Sequence, residues 1–207
     1  MPGVNAFDKN VDRYEQWFVD NPLAYVSELR ELLPTGGKGI EIGVGTGRFA
    51  APLGIKNGIE PSRSMAEVAR KRGVEVVPGV AEHLPFMDGQ FDCALMVTTI
   101  CFLDDIAMAF QEVRRILKPG GVFVIGFVDR ESPLGMAYQD RKDKSAFYRD
   151  ATFYSTKDIV ASLKKAGFGS FEYRQTLFLP LDDMAAVEPV KEGHGEGSFV
   201  VVRGEKQ

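Results

Sequence analysis

The chain has 207 residues, is 44% hydrophobic and 26% charged, and carries a net charge of −4. That length is about one domain's worth and is enough to bury a core without staples, while the ordinary composition excludes disordered and fibrous classes. The acidic balance and the lack of a basic stripe argue against a nucleic-acid partner, whose affinity rests on phosphate neutralisation, and Cys93 and Cys101 alone frame neither a disulfide scaffold nor a zinc site.

Residues 1–18 mix charges and lack the apolar stretch of a signal peptide. No apolar run is long enough to span a bilayer, so a cytoplasmic protein is expected. Residues 7–33 read as one or two amphipathic helices, with Phe7, Val11, Tyr14, Trp17 and Phe18 near helical spacing. Asn21-Pro22 breaks this stretch, because the residue before proline avoids the α conformation. Pro34-Thr-Gly-Gly37 reads as a turn. Short apolar strands follow at residues 39–42, 54–60, 74–78, 93–97 and 122–128. A helix at 107–117 puts Ala109, Phe110, Val113, Ile116 and Leu117 on or near one face, and Lys118-Pro-Gly-Gly121 stops it.

Short strands alternating with helices predict βαβ units and a parallel sheet. The tail differs. A helix at 156–166 ends at Gly167, and strands at 169–179 and 198–203, joined by a Pro-, Gly- and acid-rich loop, predict a hairpin. Residues 130–154 are polar but dotted with aromatics, and a long insertion of this kind predicts a lid or binding loop.

The strongest chemical signal is EIGVGTG at 41–47, directly after the first strand and before an expected helix. Glycine is needed where the backbone turns sharply and must approach a ligand closely. A dinucleotide fingerprint would need its third glycine at position 48, which is Arg48. Glu60, in GIEPS at 58–62, ends the second strand 17 residues past Gly43, where a carboxylate can accept hydrogen bonds from two ribose hydroxyls. PGVAEHLPF at 78–86, Phe91-Asp92 and LKPGG at 117–121 complete the set.

In this order and near this spacing, these motifs resemble the class I S-adenosylmethionine-dependent methyltransferases, closest to the small-molecule group that includes the ubiquinone/menaquinone-biosynthesis C-methyltransferases. The resemblance runs from about Phe7 to Arg203. It implies a single α/β domain over 1–207: a doubly wound, mostly parallel seven-stranded sheet with an antiparallel C-terminal hairpin. Residues 1–35 form a helical cap on it, and 130–154 a substrate-side insertion. It also implies S-adenosylmethionine as cofactor and in-line methyl transfer to a small-molecule acceptor. Glu41, Gly43 and Gly45 match the motif that holds the cofactor's methionine part, Glu60 the ribose-binding acid, and Pro61 its apolar neighbour on adenine. Ala81 and Glu82 match the loop beneath adenine, and Val97 and Thr98 the positions beside the transferred methyl. Val80 stands where the family usually has an acid that accepts from the adenine amino group. Cys101-Phe102 replaces two histidines found in many relatives.

On the substrate side, Thr99, Cys101, Phe102 and Tyr138 follow strand ends. Tyr14 and Trp17 either cap the core or line a pocket closed by the amino-terminal helix. Cys101 has no histidine placed to activate it, which favours a buried thiol. His83 reads as a loop residue, and His194, in a glycine-rich segment, as either a loop residue or a proton acceptor. No catalytic residue and no metal are assigned, since a sulfonium methyl needs positioning more than a base. A non-catalytic cofactor binder, a nicotinamide oxidoreductase and an aminopropyltransferase are the rival readings. The glycine spacing predicts that calorimetry detects S-adenosylhomocysteine and not NAD; NAD binding without any S-adenosyl ligand would contradict it.

Overall fold

The computed structural model describes residues 4–32 and 36–207. Pro34 and Thr35 of the expected turn, with the outer ends of the 1–35 cap, lie outside the described residues. Three helices open the chain: α1 (Val4–Lys9), α2 (Val11–Asp20) and α3 (Pro22–Glu31), the last starting at the proline that breaks the pattern. The expected one or two helices are therefore three. A parallel block follows, with β1 (Gly39–Ile42), β2 (Asn57–Ile59), α4 (Arg63–Lys71), β3 (Glu75–Val77), β4 (Phe91–Val97), α5 (Ile106–Ile116) and β5 (Leu117–Val128). Then come α6 (Pro133–Arg141), α7 (Thr156–Lys165), β6 (Phe168–Thr176), β7 (Lys191–Glu192) and β8 (Phe199–Lys206).

The strands form one sheet in the order β3-β2-β1-β4-β5-β8-β6-β7. The pairs from β3 through β5 are parallel, and β8 pairs antiparallel with both β5 and β6. The central strands are buried on both faces, which is why β4 reads as an apolar run over 93–97 rather than alternating, while β1 buries even its one acid, Glu41. On one face α5 sinks Ala109, Phe110, Val113 and Ile116 completely; on the other, Phe18, Val44, Phe49 and Phe199 pack against Leu95 and Val97. The starts of α4 to α7 carry side-chain caps; Ser62 Oγ accepts from Met65 N, and Ser155 with Asp158 forms a capping box.

Three further details differ from expectation. The sheet has eight strands, not seven, because Lys191 and Glu192 pair with Gln175 and Arg174; two exposed polar residues leave no pattern to read. No regular helix follows the glycine turn. Residues 46–54 run as consecutive turns, since Pro52 has no N–H to donate and Gly47 and Gly54 both sit at positive φ. The LKPGG segment does not simply end a helix: Leu117 already pairs with Phe91, and the ladder resumes at Cys93 with Val122. Residues 118–121 bulge between, with Gly120 at φ +71°.

Strand order reverses between β1 and β4, so their carboxyl ends, Gly43 and Thr98, border the crevice where doubly wound sheets bind ligands. Asp129 anchors the 130–154 segment beside it: Oδ2 accepts from Thr156 N (2.9 Å) and Oγ1 (2.6 Å), and Oδ1 from Glu131 N (2.7 Å). That segment carries α6 and a short 3₁₀ turn at Lys142–Lys144. Among the described residues no helix is long and apolar enough to cross a membrane.

Candidate functional site

The crevice is built around the turn after β1. Gly43, Gly45 and Gly47 have φ of +70°, +53° and +80°, a region that any side chain would strain. Space is also short: a Cβ on Gly43 would come within 2.4 Å of the Thr99 side chain, and one on Gly45 within 3.3 Å of the Tyr14 hydroxyl. The amides of Gly43 and Val44 both donate to Ile59 O (2.9 and 3.0 Å), which ties the turn to the end of β2.

Glu60 locks the next stage. Its Oε2 accepts from Gly45 N and its Oε1 from Ser62 N, each at 2.9 Å. Burial pushes its carboxyl up to about 7, against the pull of those two amides. Glu41 lies behind the turn, 1% exposed, with burial raising its pKa and Oε2 lacking any protein partner. At the end of β4, Thr98 adopts φ +49° with its amide on Gly126 O (2.8 Å). Thr99 Oγ1 lies 3.0 Å from Val97 O and 3.3 Å from Gly43 O, bridging strand end and turn.

The amino-terminal helices close over this floor. Asp8 Oδ1 accepts from Ser62 Oγ (2.6 Å) and Ser64 N (3.1 Å) at the head of α4. Glu15 accepts from Thr46 Oγ1 (2.5 Å), Arg48 and Arg72, so α2 is latched to the glycine turn and to the end of α4. Burial alone would raise the Glu15 pKa, yet the bonds from Arg72, Arg48 and Thr46 hold it down to about 2. Aromatic contacts seal the other side: Phe147 stacks on Phe7 with centroids 5.0 Å apart, and Tyr148 stacks on Phe102 at 5.8 Å.

Together these parts enclose a cavity of about 350 Å³. Of the residues singled out in the sequence, it brings together Gly43, Gly45, Glu60 and Pro61 with Val97, Thr98 and Thr99. Tyr14, Trp17, Phe102 and Tyr138 join them in the wall. It does not include Glu41, Ala81, Glu82 or Cys101. Ala81 is 3% exposed in the core. Glu82 Oε1 accepts from Asp104 N (2.8 Å) and Asp105 N (3.3 Å), which pins the loop after β4. Cys101 lines a smaller adjoining cavity of about 20 Å³ with Tyr138 and Phe153, and burial pushes its thiol up to about 12. Val80 forms an isolated bridge with His83, and the His194 ring lies against Tyr173 (5.2 Å).

The sequence reading missed Met65, Phe147, Tyr148 and Glu28, all in the cavity wall. Glu28 carried a readable signal. Ala24, Ser27, Glu28 and Glu31 form the buried face of α3, and an acid at an inward helical position is unusual enough to mark.

Comparison with known proteins agrees with this geometry. A family model described as a methyltransferase domain matches residues 40–125. A Thermotoga maritima crystal structure described as "SAM-dependent methyltransferase, possible histamine N-methyltransferase" is 54% identical, covers 98% of this chain and 99% of that one, and superposes with a TM-score of 0.96. An uncharacterized protein of Methanocaldococcus jannaschii is 45% identical over 98% of this chain and 100% of its own. A demethylmenaquinone methyltransferase of Staphylococcus aureus is 33% identical over 43% of this chain and 42% of its own.

The latch can be tested directly, because the single tryptophan, Trp17, sits on α2 in the cavity wall. Glu15→Gln removes the charge that Arg48 and Arg72 grip, so acrylamide quenching of Trp17 rises at neutral pH. The depressed pKa means the latch is intact above about 4.5 and is lost as pH falls towards 2. Wild-type quenching therefore rises only in acid. Equal quenching of variant and wild type at every pH would contradict the latch.

Proposed function

The chain belongs to the S-adenosylmethionine-dependent methyltransferases, and from that premise we propose that it transfers the methyl group in line to a small-molecule acceptor enclosed under the amino-terminal cap. The observation that carries this reading is one cavity in which the glycine turn and Glu60 share a wall with an aromatic chamber. S-adenosylmethionine supplies an electrophilic methyl on a sulfonium centre, so its protein host needs a seat, an orientation and a dry approach.

The residues fit that group. Gly43 and Gly45 leave open backbone where a Cβ would collide with Thr99 or crowd Tyr14. Glu60 has a lone pair left on each oxygen after accepting from Gly45 and Ser62, enough to receive two ribose hydroxyls. Pro61 and Met65 offer an apolar shelf for adenine beside it. Val97, Thr98 and Thr99, at the end of β4, set the position from which an acceptor faces the sulfonium side. Phe102, Tyr138, Phe147 and Tyr148 exclude water from the acceptor half, and residues 130–154 serve as the substrate-side insertion. An aromatic lining of this size suits an apolar body and not a nucleic-acid backbone. Cys101, held as a neutral thiol, takes no part as nucleophile.

Glu60 must be ionised to accept from two hydroxyls at once. With its carboxyl at about 7 in the free protein, affinity for S-adenosylhomocysteine rises as pH is raised through that value. Glu60→Gln weakens binding by about 1–3 kcal/mol and flattens that dependence. Unchanged affinity in the folded variant would remove Glu60 from the site. Transfer of labelled methyl to a soluble small molecule in a metabolite panel tests the reaction itself; labelling confined to protein or nucleic acid would overturn the small-molecule reading.

A further inference from the structure

One carboxyl in the cavity wall is used by nothing in the fold. Glu28, on α3, is 4% exposed and lines the cavity. Among the described residues no hydrogen-bond donor or cation reaches it, and burial alone pushes its pKa up to about 8. Its charge is felt by the neighbouring carboxyl Glu31 and by phenols from three separate parts of the chain: Tyr14 on α2, Tyr138 on α6 and Tyr148 in the segment before α7. Glu31, one turn further along α3, is also buried without a partner but stays outside the cavity. Arg13 and Arg141 line the cavity as well, and both are exposed to solvent.

An unpaired carboxyl in apolar surroundings costs stability that a leucine of similar size would not. A ligand that completes it has to bring donors, and a positive charge meets both features of this wall at once. An ammonium offers three N–H donors to a carboxylate, and the faces of surrounding aromatic rings attract it further. At Glu28 a carboxylate or phosphate would meet the opposite of what it needs.

We propose that the methyl acceptor is a small molecule that carries an ammonium group, and that this group anchors it against Glu28 inside the aromatic wall of Tyr14, Trp17, Tyr138 and Tyr148. This deepens the small-molecule reading above and rests on it. As the ion pair forms, the proton that Glu28 carries in the empty cavity leaves to solvent and the ammonium takes its place. Glu28 acts here as a specificity-determining residue and takes no part in the transfer step.

Trp17 fluorescence reports occupancy of this chamber. With the protein saturated in S-adenosylhomocysteine, benzylamine, phenethylamine and n-hexylamine are titrated beside benzyl alcohol, phenethyl alcohol and n-hexanol, for wild type, Glu28→Gln and Glu28→Leu. Both variants keep the fold, because the native carboxyl has no partner to lose, and circular dichroism checks this. The expected result is that at least one amine outbinds its alcohol by about tenfold or more in wild type and loses that advantage in both variants. Alcohols binding as well as amines, amines unaffected by either variant, or no binding in either series would each overturn the proposal. So would a variant that weakens S-adenosylhomocysteine binding instead, since Glu28 would then belong to the cofactor half. Failure of S-adenosylhomocysteine to bind wild type by calorimetry is the separate result that would sink the methyltransferase reading itself.

Discussion

The contact on which the rest of the site depends is the pair of hydrogen bonds that Glu60 accepts from Gly45 and Ser62. One carboxylate at the end of β2 fixes the left-handed turn after β1 and the approach to the α4 N-terminus. That turn can exist only because glycine occupies it: three positive φ values within five residues exclude side chains on conformational grounds, and Thr99 and Tyr14 exclude them on space. The crevice at the β1/β4 reversal is thus a consequence of topology, and its shape a consequence of missing Cβ atoms. Everything above it rests on this floor, since Glu15 latches α2 to Thr46 within the turn and Asp8 latches α1 to Ser62.

Charge is distributed by the same logic. Glu15, reached by two arginines and a hydroxyl, is held down in spite of burial and contributes stability at neutral pH. Glu28, Glu31, Glu41 and Glu60 are instead pushed up by burial. Such groups favour the folded state fully below the ordinary carboxylate range and lose that contribution as pH rises through their own values, so the ligand-free protein weakens towards alkaline pH. Two of them face the cavity, Glu60 beside the glycine turn and Glu28 at the aromatic half, and these are the ones a ligand can complete.

Much of this was legible in the sequence, for physical reasons. Left-handed turns demand glycine, so Gly43 and Gly45 announce themselves; a strand-end acid 17 residues on is close enough in sequence for Glu60 to be read with them. Core strands and α5 show their burial as apolar runs and helical spacing. What stayed hidden depends on long-range pairing. Glu82 caps amides 22 and 23 residues away, a pairing that no local motif announces. The missing helix after the turn needed Pro52 weighed against the apolar pattern around it. Phe147 and Tyr148 sit in a polar stretch, and only the meeting of that stretch with α1 and with Phe102 gives them a place in the wall. Glu28 needed the register of α3, which no neighbouring motif supplies.

A crystal structure with S-adenosylhomocysteine bound tests the central claim most directly, because it locates the cofactor against the floor just described. The ligand is expected with its ribose hydroxyls on Glu60, its adenine on Pro61 and Met65, and its sulfur facing the chamber of Tyr14, Trp17 and Tyr138, with Glu15 still gripped by Arg48 and Arg72. Density for the ligand away from the Gly43–Gly45 turn, or a ribose with no contact to Glu60, would contradict it.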